Sequence, residues 1–193
     1  MLARSRWAHT LLVAAAIGVT ALLGPFGPVA RAASGSCDSI LSQPFLPWAD
    51  PAYYELVPGG DFENATWTLT GSAGRVPGSE PYAATGKLGH WSLSLLVGGS
   101  ASSLSTCVAA TNPTLRFFIA GSGTIEVELV YGGQVILSGD VVGGGGWVPT
   151  PVLLTGSAIT GLTTGTAEAS VRLTALGGDA QVDDVFIDPW NRG

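Results

Sequence analysis

From His90 onward, apolar and polar residues alternate in short blocks, HWSLSLLV, LSTCVA, TLRFFIAG, TIEVELVYG and QVILSGDVV. In TIEVELV the residues Ile125, Val127 and Leu129 share one face while Glu126 and Glu128 share the other. That is the period of two of a strand with one wet side. TLRFFIA is apolar almost throughout and predicts a more central strand, and YGGQ predicts a two-glycine hairpin turn. The run Gly143 to Gly146 interrupts the pattern; WVPTPVLLTG then suits an edge strand, because its prolines remove two ladder donors. AEASVRLTAL alternates again, and QVDDVFIDP is the last strand. Upstream, GGDFENATW predicts a glycine turn that delivers Phe62 to the interior and Trp67 to the start of a strand, WTLTG. Ser72 to Gly89 predicts loop with at most one short strand.

Beyond the N-terminal region no segment holds a helical apolar period for three turns. Eight or nine short strands joined by glycine-rich connections therefore predict an all-β fold, a two-sheet antiparallel sandwich.

The N-terminus follows another pattern. Arg4 and Arg6 precede an apolar run, LLVAAAIGVTALLGPFG from Leu11, and Ala30-Arg31-Ala32 is a small-x-small processing site. This predicts a signal peptide over residues 1–32 and a secreted, extracellular product. Against a retained membrane anchor stand the Gly24-Pro25 and Gly27-Pro28 breaks and the Ala-x-Ala exit. Residues 33–56, with Pro44, Pro47 and Pro51 among Phe45, Trp48, Tyr53 and Tyr54, predict an ordered lead-in on the surface of a sandwich domain over 57–193.

Processing changes the charge balance. It leaves five basic side chains against fourteen acidic ones, a formal charge of −9, with no cationic stripe. Nucleic acid and anionic membranes are thereby disfavoured as partners. Cys37 and Cys107 remain, without a Cys-x-x-Cys or a nearby histidine in sequence, and a structural disulfide between them would tether the lead-in to the body.

Candidate chemistry is sparse. Glu63 follows the first glycine turn and Asp183-Asp184 lie in the last strand, so chain ends meeting in a sandwich would gather carboxylates that need a cation to stay ionised. Calcium, with backbone carbonyls completing its shell, is the ion such a set would take; solvated acids at a sheet edge are the alternative. His90 is the one histidine after the signal, and no nucleophile elbow or zinc set accompanies it. A glycosidase would have to draw on Glu63, Glu126, Glu128 or Glu168. Among Trp48, Tyr54, Tyr82, Trp91, Trp147 and Trp190, rings in loops or at strand ends could face a sugar, and Tyr82, Trp91 and Trp147 are the candidates for ligand contact.

GGDFENATW near the start and VDDVFIDPW at the end resemble the galactose-binding-like jelly rolls that include several carbohydrate-binding modules. The leading cysteine, the PF-x-PW-x-D-x-x-Y lead-in and the DDVFIDP strand are also similar to secreted proteins of high-GC Gram-positive bacteria, over roughly Cys37 to Arg192. The resemblance implies jelly-roll topology and a structural calcium near Glu63 and Asp183 or Asp184. It also implies a non-catalytic module for a cell-wall or environmental carbohydrate. An extracellular structural or protein-interaction role is the alternative, with a glycosidase third.

Overall fold

The computed structural model describes residues 40–109, 113–132, 134–154 and 166–189. The signal-peptide reading, Cys37 and Trp190 lie outside them. A 3-10 turn, Leu46–Trp48, precedes β1 (Glu55–Leu56), β2 (Thr68–Thr70), β3 (Ala73–Pro77), β4 (Trp91–Leu95), β5 (Ser100–Ser102) and β6 (Thr106–Ala109). Then follow β7 (Thr114–Gly121), β8 (Thr124–Tyr131), β9 (Gln134–Val142), β10 (Gly145–Pro149), β11 (Leu153–Leu154), β12 (Thr166–Gly177) and β13 (Ala180–Asp188).

They form two antiparallel sheets. One runs β10-β7-β13-β4-β3, with β1 added on β13 and β11 on β7; the other runs β2-β5-β12-β8-β9, with β6 added on β12. Alternation does the sorting. Ile125, Val127 and Leu129 of β8 and Ala167, Ala169, Val171 and Leu173 of β12 point into one core with Leu115, Phe117 and Ile119 of β7. Glu128 and Arg172 stand opposite each other on the far face and form an ion pair. The strand expected around WVPTP is β10, an edge strand on β7 that begins within the glycine run.

The last strand departs from plain alternation. Its register shifts between Asp183 and Phe186, and Asp184 has φ 48°. Strict alternation would put Asp184 on the side of Val182. The extra residue of this bulge lets Val185 and Ile187 resume core positions, while Asp183 and Phe186 take the outer face.

The lead-in does not merely lie outside the core under a tether, as expected. Phe45 and Tyr54 are buried against Phe118 and Phe186, forming a second apolar layer on the outer face of the seven-stranded sheet. Its rings interlock: Phe45 lies 5.1 Å from Tyr54, 5.4 Å from Phe118 and 5.6 Å from Phe186, between centroids. Each such burial contributes roughly 1.5–3 kcal/mol. The outer face of β7 and β13 carries Phe118 and Phe186 among polar residues such as Arg116, and the lead-in covers both rings. Residues 55 and 56 are already strand, and Val57 reaches the main core.

One polar network fixes this layer. Buried Arg116 of β7 donates from Nε to the Thr150 carbonyl (2.7 Å) and from Nη1 to Asp50 Oδ2 (2.5 Å). Its guanidinium sits 4.5 Å from the Phe45 ring centroid. The Tyr54 hydroxyl donates to the same Asp50 oxygen at 2.8 Å. Burial pushes the Asp50 carboxyl up, but the hydrogen bonds from Tyr54, Ala52 and Arg116, with the Arg116 charge, outweigh it and hold its pKa below the usual value.

On the opposite sheet, Cys107 of β6 is not a free thiol.

Candidate ligand-binding cleft

Where the lead-in meets the connection from β3 to β4, the two segments leave a cleft of about 380 Å³. Gln43, Pro44, Pro47 and Trp48 form one wall; Tyr82, Ala83, Ala84 and Gly86 form the other. Prolines on either side of Leu46 hold the 3-10 turn that presents Trp48, and Ala49 closes that turn with φ 61°. Trp48 and Tyr82 meet edge to face, 5.0 Å between centroids, and each also contacts Phe118, at 5.3 and 5.5 Å. Tyr82 is 45% exposed, a large ring offered to solvent over a packed aromatic floor. Its hydroxyl donates to the Trp147 carbonyl at 2.7 Å. Gln43, whose Nε2 donates to the Pro51 carbonyl, is a polar residue of the lining. Among the described residues, no side chain lining the cleft is charged.

Of the three aromatics predicted to contact a ligand, Tyr82 lines the cleft. Trp147 supports it through its carbonyl and packs partly buried into the aromatic layer. Trp91 is not among the lining residues: the Arg75 guanidinium stands 4.7 Å from its ring centroid. Trp48 and Gln43 complete the site instead. A signal for Trp48 was present in its pairing with the prolines that set the turn.

The predicted metal ligands take other partners. Glu63 Oε1 accepts the main-chain N–H groups of His90 (2.6 Å) and Trp91 (3.0 Å). Burial pushes the Glu63 pKa up, but these bonds, with the His90 and Lys87 charges, together outweigh it and bring it below the ordinary value. Asp183 Oδ2 accepts from the Glu80 N–H at 3.0 Å and its Oδ1 from the Asp184 N–H at 2.9 Å. Burial pushes Asp183 up to about 6 against these bonds. Asp184 is pushed to about 9 by burial, then by the charges of Asp183 and Glu80, a hydrogen bond with Glu80, and Asp61. The acids that gather are thus Asp183, Asp184, Glu80 and Asp61. Among the described residues, no three His, Cys, Asp or Glu side chains are arranged to hold a metal ion. In this arrangement Glu63 Oε1 and both Asp183 oxygens serve main-chain donors.

The glycosidase candidates Glu126, Glu128 and Glu168 belong to β8 and β12 of the six-stranded sheet, and Glu128 is bound to Arg172. His90 offers its main-chain N–H to Glu63.

No protein-family model matches the chain, and no curated protein sequence does. Among solved structures it is similar to a family 61 carbohydrate-binding module in complex with β-1,4-galactotriose, at 17% identity and TM-score 0.44, covering 67% of this chain and 94% of that one. It is similar to the C-terminal family 6 carbohydrate-binding module of a laminarinase from Zobellia galactanivorans, at 12% identity and TM-score 0.44, covering 70% and 98%. A cyclase from Fischerella sp. is similar at 14% identity and TM-score 0.48, covering 72% and 98%. Likenesses this distant assign no ligand.

Proposed function

We propose that the chain is a non-catalytic carbohydrate-binding module and that a neutral saccharide lodges in the cleft lined by Trp48 and Tyr82. The observation that carries this is an uncharged cleft with an exposed tyrosine ring held over an aromatic floor. Its volume of about 380 Å³ suits a small ligand or the end of a longer chain. A pyranose offers an apolar C–H face to such rings and hydroxyl donors to their surroundings. The Gln43 amide, with main-chain groups at the rim, supplies polar partners. A carboxylated, sulfated or phosphorylated sugar would find no cation among the described residues of the lining, and its charge would be buried unpaired.

We also propose that the module works outside the cell after cleavage beyond Ala32, with Cys37 bonded to Cys107. These proposals rest on the sequence pattern and on the absence of a free thiol at Cys107.

The test is a screen of purified protein on a glycan array and a set of insoluble polysaccharides. Saturable retention on one class of neutral glycan is expected. Trp48→Ala and Tyr82→Ala should each weaken it about tenfold or more, as loss of a central aromatic contact does. Folded protein retained by nothing in the panel, or retained equally after both substitutions, would sink the proposal.

A further inference from the structure

The connection from β3 to β4 has no regular secondary structure to hold it, yet it forms half of the cleft. Its ladder hydrogen bonds end near Pro77, paired with Trp91, and the Gly78 N–H donates to the His90 carbonyl at 2.8 Å. Beyond that point one side chain organises the segment. Glu80 is 1% exposed, and its two carboxyl oxygens are divided between two main-chain donors: Oε2 accepts from Tyr82 and Oε1 from Ala84, the latter at 2.9 Å. Both donors belong to residues that line the cleft. The Glu80 N–H is in turn held by Asp183 Oδ2 at 3.0 Å, an atom of β13 at the centre of the sheet. The order of support therefore runs from β13 through Asp183 to Glu80, and from Glu80 to the wall that carries Tyr82.

We propose that Glu80 is the positioning residue of the cleft, a buried carboxyl that sets the Tyr82 ring by receiving the main-chain N–H groups on either side of Ala83. The proposal rests on the carbohydrate reading for its functional meaning, but not for its geometry. Two bonds from one side chain fix the direction of the loop as well as its distance from the sheet. Ala83, between them, is held at φ 54°, a backbone state that a free loop would rarely keep at a residue with a Cβ. With the loop fixed, the Tyr82 hydroxyl reaches the Trp147 carbonyl and its ring meets Trp48 at 5.0 Å.

Glu80→Gln tests this role, and it also changes the partner of the Asp184 carboxyl. It preserves the shape and one acceptor oxygen, but it turns an NH2 group toward one of the two main-chain donors, so the two bonds cannot coexist. Hydrogen exchange of the full chain, read amide by amide by NMR, measures the outcome without any sugar present. In the unsubstituted protein the Tyr82 and Ala84 amides should be protected although they lie in a loop. In Glu80→Gln that protection should fall about tenfold or more at these two sites, while Leu93, Phe117 and Val182 keep theirs. Unprotected Tyr82 and Ala84 amides in the unsubstituted protein, or equal exchange in both proteins, would overturn the proposal. So would a uniform loss across the sheet or failure of the variant to fold, since Glu80 would then serve the core rather than the cleft. A blank glycan screen beside selective loss at the two amides would remove the carbohydrate reading alone.

Discussion

Arg116→Ala is expected to destabilise the protein by about 3–5 kcal/mol, the range for leaving one partner of a buried ion pair without the other. The side chains of Arg116 and Asp50 are 9% and 14% exposed, so neither is well hydrated once its partner is gone. Removing the guanidinium leaves the Thr150 carbonyl without that donor, Asp50 without its cation and Phe45 without the charge above its ring. Urea unfolding of Arg116→Ala, Asp50→Ala and the double variant would measure the coupling, which should exceed about 1 kcal/mol for groups in direct contact. Additive effects, or a loss below about 1 kcal/mol for Arg116→Ala, would mean that the lead-in is held by its rings alone. The depressed Asp50 pKa adds a pH signature of known sign. Its contribution is fully present above the unfolded value near 4 and is lost as the pH falls through the lower folded value.

The acid cluster under the Tyr82 loop should act in the opposite direction. Asp183 and Asp184 have folded pKa values above the unfolded value of 3.8, so the folded state binds their protons more tightly than the unfolded chain does. Stability therefore falls as the pH rises from about 4 through 6 and toward 9. Asp183 alone supplies on the order of 3 kcal/mol across its part of that range. Melting curves in chelator should show Tm rising as the pH is lowered from about 8 to about 5, before Asp50 begins to be protonated. A flat or rising Tm from pH 5 to 8 would show that the aspartates do not keep their protons. Calcium that restores stability at pH 8 would assign the cluster to a cation, by preferential binding to the folded state.

Much of the sandwich was legible because strands with one wet side repeat every two residues, as the core-facing residues of β8 and β12 do. The cleft was harder to see. It depends on Pro-interrupted residues 43–48 packing over β7, a long-range contact that no local period encodes. Two clues in β7 pointed to it: Phe118 puts an apolar ring on the outer face, and Arg116 puts a charge in an apolar strand that needs a carboxylate from elsewhere. The lead-in answers both, with Phe45 and with Asp50. The Asp183-Asp184 pair was correctly placed in the last strand, but the bulge at Asp184 could not be read from the residues. Asp183 faces outward by plain alternation and holds the Glu80 N–H, and the bulge leaves Asp184 beside the same glutamate. Glu63 was visible as a carboxylate near the first strand, yet a glutamate beside a turn can serve main-chain donors as readily as a metal, and here it binds His90 and Trp91.

The most direct test of the cleft is an NMR titration with the neutral oligosaccharide that the glycan screen retains, following the indole N–H of Trp48 and the amides of Gln43, Tyr82, Ala84 and Gly86. Saturable shifts concentrated on these groups, with Trp91 and the six-stranded sheet unmoved, are the expected result. Saturable shifts centred on Trp91 or on the outer face of β8 and β12, with the cleft silent, would contradict it.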